Sequence, residues 1–198
     1  MRLYVLAIVI VSLCWSCGGS ENQSEGDRLF KEGQYEKAVA AFNEKLDTHP
    51  SDITLLYNRG RAFEELGKYK EAEADFVKIT ELDNKNLNAY LSLSQLNYKK
   101  GAHNKALIFA DKALEINDNS AEGHFLAARA KHQLGYMDKA LESYSLAINI
   151  NKDYGEAYFY RAAIKIGKNQ SKSACSDIAK AVNLGVPEAS KAQTKYCK

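Results

Sequence analysis

Proline is almost missing from this 198-residue chain, which holds only Pro50 and Pro187. A residue that cannot donate a backbone hydrogen bond and clashes with the preceding turn is the main local obstacle to helices, so little interrupts them here. A surplus of charge is missing too: 27 Lys and Arg face 25 Asp and Glu, with both signs interleaved. That excludes the basic stripe needed to displace counterions from phosphates, and with it nucleic acid as a partner. The apolar run from Leu3 to Leu13 spans 11 residues, against the ~20 that a permanent transmembrane helix requires. Chemistry-bearing motifs are also absent. There is no glycine-rich phosphate loop and no nucleophile elbow. The four histidines, His49, His103, His124 and His132, are scattered. His124 and His132 stand eight residues apart, or ~12 Å along a helix, whereas helical metal pairs come about four apart. Glu64-Glu65 and Glu71-Glu73 read as solvated partners of nearby lysines. The chain is therefore read as no enzyme, with no cofactor, no metal and no small-molecule substrate.

What is plentiful is Ala, Leu, Lys, Glu and Tyr, a composition that suits helix and leaves little for strands. The class expected is all-α. The first residues, MRLYVLAIVIVSLCWSC, place one cation, Arg2, before the apolar run and end it abruptly at Cys17. With Ser16 before it and Gly18-Gly19-Ser20-Glu21 after, this segment resembles the signal peptide of bacterial lipoproteins. The resemblance implies a signal over 1–16, a lipidated Cys17 carrying palmitate-type acyl chains, and a polar tether over 17–25. It departs from the family pattern at Cys14, where leucine is usual. The implied location is a bacterial cell envelope, lipid-anchored at the outer membrane on its periplasmic or surface face.

A period decides the fold. Glycines recur at Gly33, Gly67, Gly101 and Gly135, each 34 residues after the last. Ala38, Ala72, Ala106, Ala140 and Ala174 keep the same spacing, as do Phe42, Phe76, Ala110, Tyr144 and Ile178. A further column holds Gly26, Gly60, Ser94, Ala128 and Ala162. Each unit is expected to carry two helices of about 14 residues joined by a tight turn at the Gly33 series, where glycine ends a helix in the left-handed conformation. The Gly60 and Ala72 columns are expected to face each other across the pair, with Phe63, Phe76 and Leu82 filling the remaining space. No unit could bury its apolar face alone, so five stack into one continuous core.

With "YNRGRAFEELGKYKEAEADF" from Tyr57 to Phe76, the chain resembles the tetratricopeptide repeat (TPR) family. The resemblance implies an α-α superhelix of five units at 19–52, 53–86, 87–120, 121–154 and 155–188, the first and last degenerate. A capping helix over 187–197 follows Pro187. Cys175 and Cys197 are an even pair in an exported chain, and two antiparallel helices joined by a short link bring them to one end, so a disulfide is expected.

In this family the first helix of each unit lines the concave groove. The implied groove positions are Tyr57, Leu91, Phe125 and Phe159, then Arg61, Gln95, Arg129 and Ala163, then Phe30, Glu64, Tyr98, His132 and Ile166. Aromatic residues and arginine are the usual anchors of peptide recognition. The same side chains at helical spacing could instead pack between helices, and the sequence leaves both readings open. Members that capture chaperone tails hold a terminal carboxylate with Lys, Arg and Asn; Asn58 matches, while Gln23, Asn88 and Ser92 lack the expected basic groups. The functional expectation is a membrane-anchored scaffold that binds a protein or peptide in its groove during assembly or maintenance of an envelope complex. The alternative is an architectural or self-associating subunit that binds nothing in the groove.

Overall fold

The computed structural model describes residues 24–197, and among them every regular element is an α-helix. The first helices of the units are α1 (Glu25–Lys31), α3 (Ile53–Glu65), α5 (Leu87–Lys99), α7 (Ala121–Gln133) and α9 (Gly155–Gly167). The second helices are α2 (Tyr35–Thr48), α4 (Tyr69–Leu82), α6 (His103–Ile116), α8 (Met137–Ile150) and α10 (Ser171–Asn183). The last element is α11 (Ala189–Tyr196). Each helix packs on its neighbours in sequence, and α5 also touches α7.

The two helix types begin differently, except that α9, like the second helices, has no side-chain cap. Asp52 caps α3 by accepting from the Thr54 and Leu55 amides, Asn86 caps α5 from Ala89, and Ser120 caps α7 from Gly123. Second helices have no side-chain cap. They start straight out of a left-handed turn: Gly67 has φ +70°, and the Lys68 amide reaches back to the Phe63 carbonyl at 2.8 Å. A Cβ at Gly67 would meet nothing within 4 Å, so glycine is there for its backbone angle. In the fifth unit Asn169 holds the same turn at φ 58°, a residue whose short polar side chain tolerates that region.

Gly60 is present for a different reason. A Cβ built on it would lie 2.7 Å from Phe76 Cε1. The Gly60 and Ala72 columns do meet, since Ser94 Oγ donates to the Ala106 carbonyl at 2.8 Å. The tighter fit, however, is between the Gly60 column and the aromatic one. Glycine stands opposite phenylalanine at Gly26–Phe42 and Gly60–Phe76, serine accompanies alanine at Ser94 and Ala110, and alanine accompanies Tyr144 or Ile178 at Ala128 and Ala162. Leu82, expected inside the pair, is 40% exposed. Ile79 fills that interior, and Leu82, the last residue of α4, runs past it.

The first turn of α11 keeps the period, since Ala189 follows Gly155 by 34 residues. The helix is thus the start of a sixth first helix, stopped after 8 residues instead of 13. Cys175 on α10 is disulfide-bonded to Cys197 just beyond α11, with Cα atoms 5.6 Å apart.

Candidate functional site

The face made by the first helices carries the three ladders read from the sequence. Leu91 and Phe125 are nearly enclosed, at 7% and 6% exposure. The Phe125 ring packs on Tyr154 at 4.6 Å and on Tyr144 and Tyr160 at 6.0 Å. Both side chains therefore belong to the core, because the next unit closes over them. Tyr57, 5.8 Å from the Phe76 ring, is only half-buried. The accessible part of this face falls one and two helical turns further on, at Arg61, Gln95 and Arg129 and at Tyr98 and His132.

At its N-terminal end the face opens into a cavity of about 280 Å³ lined by Asp27, Phe30, Lys31, Tyr57, Asn58 and Arg61. Asn58 Nδ2 donates to Asp27 Oδ1 at 2.7 Å, and Ser24 Oγ donates to Asp27 Oδ2 at 2.8 Å. Asn58 is thus engaged within the chain. A smaller hollow of about 90 Å³ continues between Arg61, Asn88, Gln95 and Glu122. Glu64, expected among solvated carboxylates, is 8% exposed. Lys99 Nζ donates to its Oε1 at 2.7 Å, and Arg61 Nε lies 3.7 Å from its Oε2. Two cations offset the burial of that carboxylate, which no isolated exposed glutamate would need.

In the fourth unit Arg129 lies over the Tyr98 ring, with Cζ 3.9 Å from the centroid, and 5.6 and 5.7 Å from the Phe125 and Tyr160 centroids. Gln133 Nε2 donates to Tyr98 Oη at 3.1 Å. Burial pushes the His132 imidazole down, toward its neutral form. Burial also pushes the Tyr144 phenol far up, so it stays protonated.

Phe159 lies apart from this stretch. It borders an apolar cavity of about 270 Å³ with Ala163, Ile166, Ile178, Ala192 and Tyr196, where α11 stops short. Among the described residues no group of three His, Cys, Asp or Glu is placed to hold a metal, and no helix is long and apolar enough to cross a membrane. Cys17 and the signal segment lie outside the described residues.

One constellation was not foreseen. Arg59 Nε and Nη2 donate to Asp75 at 2.9 and 2.6 Å, while Nη1 donates to Asn43 Oδ1 at 2.7 Å. Three periods later Arg161 repeats this on Asp177 at 2.8 and 2.7 Å and on Ser145 Oγ at 3.0 Å. Each arginine ties its own second helix to that of the preceding unit. The repeat register carries the signal: Arg59 and Arg161 share one column, and Asp75 and Asp177 another.

Models of the tetratricopeptide repeat match residues 24–86, 87–120 and 121–154. The chain belongs to the tetratricopeptide repeat family. As a TPR protein it is a protein-interaction scaffold and not an enzyme. Human mitochondrial import receptor subunit TOM70 is 33% identical over 82 residues, 39% of this chain and 14% of that protein. The TPR chain thus spans about a seventh of that relative. The crystal structure of MamA aligns with TM-score 0.74 and 23% identity over 89% of this chain and 100% of MamA. That of YrrB, described as a TPR protein with an unusual peptide-binding site, aligns with TM-score 0.67 and 22% identity over 85% and 88%. These likenesses concern the fold.

Proposed function

We propose that this TPR chain is a lipid-anchored adaptor of a bacterial envelope that holds a peptide segment of a partner protein along the first-helix face. The observation that carries the reading is the cavity at Tyr57 and Arg61, followed by an accessible row through Gln95 to Arg129 that mixes cations, amides and rings. Such a row can hydrogen-bond an extended backbone and seat apolar side chains between rings. The lipoprotein-like segment ending at Cys17 supports a membrane tether. Confinement to a membrane raises local concentration, so a modest groove affinity suffices for a lasting assembly. The test combines Arg61→Ala, Gln95→Ala and Arg129→Met in the full chain and compares partner recovery with wild type, alongside Cys17→Ala grown with an alkyne fatty acid. Loss of partners in the triple variant and loss of label in Cys17→Ala are expected. Unchanged recovery rejects the groove, and retained label rejects the anchor.

A further inference from the structure

Five arginines stand among the described residues, and four of them pair with a carboxylate. Arg28 pairs with Glu32, Arg59 with Asp75, Arg61 with Glu64 and Arg161 with Asp177. Arg129 is the exception: among the described residues it makes neither an ion pair nor a hydrogen bond, and its Nε is buried without an acceptor. It is held by ring faces instead, with Tyr98 closest at 3.9 Å. Stacking fixes the plane of a guanidinium but leaves its in-plane N–H groups unsatisfied.

A second observation points to the same place. Tyr144 is 0% exposed, and its hydroxyl has no hydrogen-bond partner. Its column is otherwise Phe42, Phe76, Ala110 and Ile178, none of which carries a polar end. The hydroxyl therefore adds nothing that packing requires, and the Tyr144 ring stacks at 6.2 Å on Tyr160, whose centroid lies 5.7 Å from Arg129 Cζ. Two buried donors without an acceptor occur together in one unit, and buried donors are rarely left so.

We propose that Arg129 is the receptor for a single carboxylate of the bound peptide, and that Tyr98, Phe125 and Tyr160 select an apolar side chain beside it. The inference rests on the groove reading above. One carboxylate matches the site's charge better than a phosphate would. Lys131 Nζ is turned away to Ser143 Oγ at 2.9 Å, and burial pushes His132 toward its neutral form. A dianion would therefore meet a single cation there. The carboxylate is either a chain terminus or an Asp or Glu side chain; both present the same two oxygens to the guanidinium fork.

The full chain, kept in detergent, is panned against two random-peptide display libraries, one with free C-termini and one displaying internal segments. Enriched peptides are expected to place an apolar residue at or beside the free C-terminus in the first, or beside an Asp or Glu in the second. Fluorescence polarisation with the enriched peptide, compared with its C-terminal amide or its Asn or Gln form, should show affinity falling at least about tenfold. Arg129→Met should cause a similar loss and Arg129→Lys a smaller one, with circular dichroism checking the fold. The peptide comparison on wild-type protein stands even if a variant unfolds. Enriched peptides that lack a carboxylate, or that bind Arg129→Met as well as wild type, overturn the inference; if they still need Arg61 and Gln95, the groove reading survives alone. No enrichment, or binding indifferent to all three residues, overturns both.

Discussion

Gly67 and Gly60 are glycines for two unrelated reasons, and one test separates them. Gly67 serves an angle, Gly60 a volume. A methyl group at Gly60 would be driven into Phe76, whose ring is fully enclosed and has nowhere to move. Gly60→Ala should therefore destabilise by about 1–3 kcal/mol, the usual range for overpacking. Phe76→Ile alone should also destabilise, by about 1–3 kcal/mol, because it leaves a void. Together they recreate the pairing of Ala162 with Ile178 in the fifth unit. The double variant should be more stable than the sum of the two losses predicts, by about 1 kcal/mol or more. Urea titrations of the four proteins measure it, and strict additivity would mean that the two columns do not share one space.

Among the elements, the 34-residue period is legible in the αL turns from Gly33 to Asn169 and in the caps Asp52, Asn86 and Ser120. However, α9 starts at Gly155 without a side-chain cap, and α1 starts on Ser24, out of that register. The period shows less of what each residue on the first-helix face does. The ladder of Tyr57, Leu91, Phe125 and Phe159 looks uniform in sequence, yet Leu91 and Phe125 are enclosed by the following unit while Tyr57 stays partly open. Enclosure depends on the size of the neighbour across the interface, which lies outside the repeat being read. The Arg59–Asp75 and Arg161–Asp177 ties escaped notice because only two of the five units carry them. In the third unit the same columns hold Leu93 and Phe109, which belong to one apolar cluster with Phe76 and Ile79 of the preceding second helix and carry no charge. Asp75 is 6% exposed in its side chain, so Asp75→Asn leaves a half-buried guanidinium without its anion. The expected loss is about 3 kcal/mol. Replacing both partners by the third unit's pair, Arg59→Leu with Asp75→Phe, should recover most of it; denaturant midpoints decide. The C-terminal tie is covalent. The Cys175–Cys197 bond closes a 22-residue separation, and its reduction should remove about 3 kcal/mol of stability. Hydrogen exchange should quicken first in α11, and a uniform change along the chain would rule out a local role for that bond.

A stacked array with a fixed period should tolerate loss of a whole unit but not of a fraction of one. Removing residues 87–120 joins Asn86, itself a helix cap, to Ala121 and keeps every later residue in phase. That protein should fold with the same helicity per residue, whereas removal of 87–116 should not. The shortened array will still be weakened at the new junction. Leu93 and Leu96, which pack with Phe76 and Ile79, are replaced in register by Ala127 and Ala130. Two such truncations leave a void costing about 2–5 kcal/mol each before relaxation. The same deletion also rewires the groove. The residue one period before His132 is Tyr98, and the one before that is Glu64. Without the third unit, Glu64 takes the place of Tyr98 beside Arg129, and Lys99, the nearer of its two cations, is gone while the more distant Arg61 stays. Arg129 then acquires a carboxylate from its own chain. A carboxylate-bearing peptide should bind this protein about tenfold or more weaker than wild type, and Glu64→Tyr within the deletion should restore much of the affinity. Polarisation titrations read both steps. If Glu64→Tyr restores nothing while circular dichroism shows the array intact, the ring–arginine stack is not what prepares Arg129 for its ligand.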